Sequence, residues 1–266
     1  NKIWLYLLSF ALPNGILICH GLGLFKAYRS IALILTLLLF SAYVSVIIGA
    51  FHFFFRRTKF SAKIDRTLGF AYPILFLGLV ILSIYNAYVT RITHYSIVLD
   101  KPMKPLRIGV ASDLHLGALF GGQELDALAK MMTEQKVDLI LLPGDIMDDN
   151  VEAYLAENMR PHLAKLHAPL GVYATLGNHD FFGYQDQISD EIRKASITLL
   201  KDQITTINNE FVLIGRNDDL DKSRPTTEEL LKRADLNLPI IVLDHRPSEV
   251  AIHSTLPFDL QVSGHT

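Results

Sequence analysis

The sequence predicts a layered α/β domain preceded by a block of transmembrane helices, and three features of its 266 residues carry that prediction. Three stretches, Ile3 to Phe25, Ile31 to Phe55 and Thr67 to Thr90, hold no Asp, Glu, Lys or Arg. Each exceeds the roughly 20 residues that a helix needs to cross a bilayer. From Leu106 onward, short apolar runs alternate with helical stretches, the pattern of strands and helices stacked in layers. Charge divides near the same place: residues 1–92 carry nine Lys or Arg and one acid, Asp65, a net +8, and the remainder carries −10.

In chain order, residues 1–90 form the three spans, about 3–25, 31–55 and 67–90, the first interrupted by Pro13, Asn14 and His20. Half of the chain is hydrophobic and the mean hydropathy is +0.28, an excess concentrated in these spans. The lone Cys19 sits in the first, which excludes an intrachain disulfide. The chain begins at Asn1 with no cleavable leader pattern, and the expectation is a fragment or a processed form. Residues 91–105 are a polar linker ending in DKPMKP, and residues 106–266 are the α/β domain. There LRIGVAS reads as a strand, GQELDALAKMMTEQ as a helix and VDLILL as a strand. VEAYLAENMRPHLAKL is helical with a break at Pro161. GVYATL is a strand, QDQISDEIRKAS a helix, and ITLL, FVLIG, PIIVL and FDLQVS are strands, with helical TEELLKRA and PSEVAIHS between them.

Lys and Arg in short loops mark the cytoplasmic face of a membrane protein. Arg56, Arg57, Lys59, Lys63 and Arg66 lie between the second and third spans, against Lys26 and Arg29 in the preceding loop. This places the acidic domain on the outer side of a multi-pass protein, although Arg91, Lys101, Lys104 and Arg107 pull the other way. The basic loop can also attract anionic lipid headgroups. So acidic a domain is no partner for a nucleic-acid backbone, which calls for basic surface. His20 and His52 fall in the spans and read as interfacial anchors, and His94, His162, His167 and His253 as surface or packing residues.

Five strand ends carry metal-competent side chains. IGVAS runs into Asp113 and His115, LILL into Asp145 and Asp148, and VYATL into Asn178, His179 and Asp180. IIVL runs into Asp244 and His245, and LQVS into His265. Loops at the carboxyl ends of strands form the ligand crevice of layered α/β domains. Asp145 alone, in PGD, is a turn residue as readily as a ligand. Five such loops together point to a cluster of hard carboxylates and imidazoles, without thiolates, suited to divalent ions. Two such ions roughly 3.5–4 Å apart clamp the attacking and leaving oxygens of a phosphoryl displacement. Arg216, Asn217 and Asp218 are candidates for the cleft wall, and Asp244 reads as a strand-end acid or an imidazole partner.

Taken together, D-x-H, G-D-x-x-D, G-N-H-D, a later lone His and G-H resemble the calcineurin-like metallophosphoesterases over about residues 106–266. SDLHLG, GNHDFF, DHRP and SGHT are most similar to membrane-anchored bacterial members related to phosphodiesterases and to UDP-diacylglucosamine pyrophosphatases. The resemblance implies a four-layer α/β/β/α sandwich and two divalent metal ions, Mn²⁺ foremost, with Fe, Zn or Mg as alternatives. Asp113 and His115 would hold the first ion, Asp145 would bridge both, and Asn178, His245 and His265 would hold the second. His179 would protonate the leaving oxygen with Asp180 orienting it, and a metal-activated hydroxide would attack in line. Asp148 matches a supporting position. The family motif runs G-H-x-H and this chain stops at Thr266, so the expectation is a domain truncated at its C-terminus. The expected protein is a phosphoesterase of the bacterial inner membrane acting on a phosphodiester or pyrophosphate, including lipid-linked ones. A UDP-linked acyl glucosamine, whose site is cytoplasmic, conflicts with the outer placement. The rival is a non-catalytic membrane scaffold or sensor that uses the metals structurally. Oligomeric state is not legible.

Overall fold

The computed structural model describes residues 3–23, 27–58 and 60–265. Lys2, Lys26, Lys59 and Thr266, which count in the charge and motif readings, lie outside that set, as does Phe25 at the expected end of the first span. The chain divides into two units, Asn1–Tyr95 and Ser96–Thr266.

The first unit contains α1 (Ile3–Gly21), α2 (Ala27–Phe55) and α3 (Ser61–Tyr88). Within it Arg29–Phe55 and Ser61–Tyr88 are long and apolar enough to cross a membrane. At ~1.5 Å rise per residue each is about 40 Å long, more than a hydrocarbon core of about 30 Å. Their apolar side chains are mostly exposed, as expected of helices whose solvent is lipid. α1 is 19 residues long with Pro13 inside it, and its apolar stretch with described side chains is Phe10–Gly21, so the expected first span falls partly on side chains outside the described set. α3 also begins earlier than the uncharged run, at Ser61, because Lys63, Asp65 and Arg66 occupy its first turns. Charge limits the apolar run; it does not limit the helix. Contacts Ser41–Tyr72 and His52–Asp65 pair α2 and α3 in antiparallel register.

The second unit holds two four-stranded sheets. β1 (Ile108–Val110), β2 (Leu139–Pro143), β3 (Val172–Thr175) and β4 (Thr198–Leu199) form one, in that order and all parallel. β5 (Gln203–Ile207), β6 (Phe211–Gly215), β7 (Ile240–Leu243) and β8 (Leu260–Val262) form the other, parallel except for the β5–β6 hairpin. Side chains alternate across a strand, and that alternation builds the layers. Ile140 and Leu142 of β2 meet α4 (Gly122–Glu134) and α7 (Gln185–Lys194) through Leu125, Met132, Ile188 and Ile192. Leu139 and Leu141 face the other way, onto Phe211 and Leu213 of β6 and Ile241 of β7. On the far side Val212, Ile214 and Val242 pack on Leu230 and Leu231 at α8 (Thr227–Leu231). The result is the α/β/β/α sandwich.

The helical stretch breaks as expected, into α5 (Glu152–Ala156) and α6 (Arg160–Leu163), with the reversal at Asn158 (φ 49°) and Pro161 in the first turn of α6. PSEVAIHS becomes a 3₁₀ turn followed by α9 (Val250–His253). The missed strand is β5, QITTI, whose polar residues hid it. It turns into β6 through Asn208 and Asn209 at φ 48° and 56°, with Glu210 N–H on the Ile207 carbonyl at 2.9 Å. Ile207 pairs with Phe211, so the loop has three residues, and the two left-handed asparagines at its start turn the chain with the right-handed twist of the strands. The linker is anchored from Lys101, whose ammonium donates to the Leu238 carbonyl and to Asp259.

Candidate metal centre

The ends of β1, β2, β3, β7 and β8 deliver their loops to one cluster. Asp145 stands at its middle, 1% exposed. Its Oδ1 accepts from the His179 amide at 2.8 Å, and its Oδ2 lies 3.2 Å from His245 Nε2 and 3.7 Å from His115 Nε2. The His115 amide donates to the Asp145 carbonyl at 3.0 Å, and the Asp113 amide to the Gly144 carbonyl at 3.2 Å. The Asp113 carboxylate accepts from the His265 amide at 3.2 Å and from the Ser112 hydroxyl at 2.5 Å. Asn178 Oδ1 lies 3.1 Å from His245 Nε2. The structure thus brings Asp113, His115, Asp145, Asn178, His179, His245 and His265 together.

The donors group as a pair of ions would require. Asp113, His115 and Asp145 form one set of potential ligand atoms within 4.8 Å of one another, and Asp145, His245 and His265 form another. Asp145 belongs to both. The tautomer of His245 sharpens the fit. Its Nδ1–H donates to the Pro143 carbonyl at 2.8 Å, which turns Nε2 toward Asp145 Oδ2 and Asn178 Oδ1. Three lone-pair donors then converge on one point, and only a proton or a cation satisfies them together. His115 Nδ1 is buried with no hydrogen-bond partner among the described residues. Four of the expected ligands, Asp113, His115, Asp145 and His265, sit at φ between 45° and 55°. Left-handed backbone at non-glycine residues is strained and clusters at functional sites.

Glycine makes the approach possible. Gly144 has φ +88°, and a Cβ there would meet His245 Nδ1 at 2.6 Å; a Cβ at Gly177 would run into the Asp145 carboxylate. Titration follows the same contacts. Burial lowers the affinity of His115 for a proton, against the pull of Asp145, and its pKa is depressed. Burial also works against the charged forms of Asp145 and His245, but their mutual bond dominates, holding Asp145 below its ordinary value and His245 above.

Asp180 corrects the sequence reading. Its carboxylate accepts from the amides of Gly177 (2.9 Å), Met147 (3.0 Å) and Ile146 (3.2 Å), bracing the two ligand loops. Complete burial pushes it up to about 7 against those bonds. The carboxylate on the His179 ring is instead Asp149, whose Oδ1 accepts from Nδ1–H at 2.6 Å. Asp149 has φ +67°, a local reversal that DIMDDN does not announce, and the run of acids was the one available signal. Asp148 is buried with Oδ1 3.8 Å from His115 Nδ1. Phe182 stacks edge-on against His179 at 5.4 Å.

Arg216, Asn217 and Asp218 are buried rather than lining a cleft. Arg216 donates to Asp244 (3.2 Å) and to Glu249 and lies 3.3 Å from His253 Nε2, and Arg224 adds a second cation to Asp244 at 3.4 Å. Asp244 is therefore a core ion partner, its pKa raised by burial against the two guanidiniums. His253, expected at the surface or in packing, is 3% exposed and bonded to Thr227 and Gln261.

The sequence pattern described as calcineurin-like phosphoesterase matches residues 106–266. The chain belongs to that family. Among curated relatives of this phosphoesterase, an uncharacterized metallophosphoesterase of Aquifex aeolicus is 33% identical over 199 residues, 70% of this chain and 74% of its own. Phosphodiesterase YaeI of Escherichia coli is 32% identical over 173 residues, covering 61% of this chain and 60% of its own. A transmembrane protein with metallophosphoesterase domain from Danio rerio is 25% identical over 186 residues, 63% of this chain and 41% of its own. The two apolar helices and the transmembrane relative point to membrane association.

Proposed function

We propose that this phosphoesterase is anchored in a bacterial inner membrane by its N-terminal helices and hydrolyses a phosphodiester or pyrophosphate bond with two divalent cations, Mn²⁺ foremost. The observation that carries the proposal is Asp145, shared by two donor sets whose other members come from three separate loops. Asp113, His115 and Asp145 hold one cation; Asp145, Asn178, His245 and His265 hold the other. Bound there, the pair supplies Lewis acidity and a water of lowered pKa for displacement at phosphorus.

The chain's own groups do the rest. The Pro143 carbonyl fixes His245 with Nε2 inward. Asp149 holds His179 Nδ1–H, so that Nε2 is the atom from which a proton passes to the leaving oxygen. Asp180 ties the β2 and β3 loops by three amides and keeps Asn178 and Asp145 in register. The basic loop after α2 favours the outer side for residues 96–266. Covalent attachment to the spans favours a substrate at the membrane, lipid-linked ones included. Purified full-length protein should hydrolyse bis(p-nitrophenyl) phosphate with added Mn²⁺, and His179→Ala should nearly abolish turnover of a diphenyl diester, whose poorer leaving group needs the proton, while metal stays bound. Undiminished turnover in that variant would refute the general-acid role.

A further inference from the structure

The α2–α3 hairpin carries a cleft that phosphate chemistry does not use. Ile48 and His52 of α2 and Asp65, Leu68, Gly69 and Tyr72 of α3 line it, and its volume is about 260 Å³. Its walls are graded along the helix axes. At the hairpin end, about one turn from the last residue of α2, His52 Nδ1–H donates to Asp65 Oδ1 at 2.7 Å. Ile48, Leu68 and Gly69 lie a turn deeper, and Tyr72 deeper again with its hydroxyl paired to Ser41 at 2.6 Å. Arg56, Arg57, Lys63 and Arg66, all exposed, belong to this same end of the hairpin, the Arg56 guanidinium 4.5 Å over the Phe53 ring. Asp65 is the single carboxylate of residues 1–92, and His52 already engages it.

We propose that this cleft binds one anionic phospholipid, its phosphate among the four cations and an acyl chain along Ile48, Leu68, Gly69 and Tyr72. The inference rests on the reading that α2 and α3 cross a bilayer. Charge complementarity selects the occupant. A zwitterionic lipid offers the cations no net charge, and a second copy of the hairpin would press two positive tips together. Gly69 keeps the groove open: a Cβ there would meet nothing within 4 Å.

The test places full-length protein in nanodiscs of equimolar phosphatidylglycerol and phosphatidylcholine and counts retained lipid by native mass spectrometry. Wild type should retain one phosphatidylglycerol. Replacing Arg56, Arg57, Lys63 and Arg66 by Gln should cut that retention by about tenfold or more, from the affinity each basic residue lends near an anionic surface. Gly69→Leu, with every charge intact, should cut it too by filling the groove, and it decides the matter if the charge variant does not insert. Equal retention of the two lipids by wild type, or unchanged retention in Gly69→Leu, would overturn the lipid site. Failure of wild type to enter the bilayer would overturn the spanning reading instead.

Discussion

Asp149→Asn and Asp180→Asn separate the carboxylate that orients the acid from the one that braces the loops. Asp149 Oδ1 lies 2.6 Å from His179 Nδ1, so the amide removes a charged acceptor from the ring. Loss of such a partner behind a working histidine typically costs about 10–100-fold, within the roughly 10²–10⁴ that general acid catalysis contributes. Asp180 holds three buried amides. In Asp180→Asn the retained oxygen serves the Gly177 and Ile146 amides, and the new NH₂ faces the Met147 amide. One unpaired buried donor costs about 1–3 kcal/mol, or roughly 3–10 °C in a domain this size. The assay is kcat for bis(p-nitrophenyl) phosphate and for a diphenyl diester, alongside thermal melting. Asp149→Asn should lose rate, and more with the poorer phenoxide leaving group, at nearly constant melting temperature. Asp180→Asn should melt early with kcat near wild type and no leaving-group dependence. The reverse pattern, or equal losses on both diesters for Asp149→Asn, would refute the assignment.

Mn²⁺ added to metal-stripped protein at 100 times its Kd should stabilise the fold by about 2.7 kcal/mol, a rise of roughly 5–10 °C by calorimetry; no rise would count against a built site. Gly144→Ala forces an L-residue to φ +88° and a methyl onto His245 Nδ1. It should cost ~2 kcal/mol or more, from ~1–2 for the left-handed backbone plus overpacking, and weaken Mn²⁺ binding in a titration. Arg216→Met strips a buried cation from Asp244 and Glu249 and should cost about 3–5 kcal/mol in urea unfolding. Asp180 is held at about 7 in the folded protein against an ordinary 3.8. Below 3.8 it is protonated folded and unfolded; between the two values only the folded state keeps the proton. Metal-stripped protein should therefore lose up to ~4 kcal/mol of stability as pH rises through that window, and Asp180→Asn should flatten the slope.

Much of this architecture was legible because burial on both faces writes itself as unbroken apolar runs. LILL and IIVL had to be central strands, since each packs one set of side chains against helices and the other against the opposite sheet. β5 was not legible, because QITTI is a partly exposed edge whose pairing depends on a turn at Asn208 and Asn209. That these loops would converge on one cluster was legible from their residue types; the partner of His179 was not. Asp148, Asp149 and Asp180 are equivalent as letters, and their roles diverge through backbone direction. The reversal at Asp149 turns its carboxylate onto the ring, while the 3₁₀ turn at His179–Phe181 folds Asp180 back under the Gly177 amide of its own loop and the Ile146 and Met147 amides of the β2 loop. Arg216 misled for a related reason: a charged residue after a strand suggests a cleft until its carboxylate partners, Asp244 and Glu249, arrive from 28 and 33 residues away.

Strain at the candidate ligands explains why the cluster and the fold depend on each other. Asp113, His115, Asp145 and His265 each hold left-handed φ, a conformation that costs L-residues roughly 1–2 kcal/mol apiece. Nothing in β1, β2 or β8 requires those reversals, since each strand ends before them. What they achieve is direction: they bring Asp113 and His115 from one loop and His265 from another to the side of Asp145. The backbone bonds that hold the reversals run between ligand loops, from Asp113 to Gly144, from His115 to Asp145 and from His265 to the Asp113 carboxylate. Loosening one loop therefore releases its neighbours. A cation held by two of these loops would oppose that release, so metal stabilisation should be cooperative across Asp113→Ala and His265→Ala, with the double variant losing less than the sum of the singles.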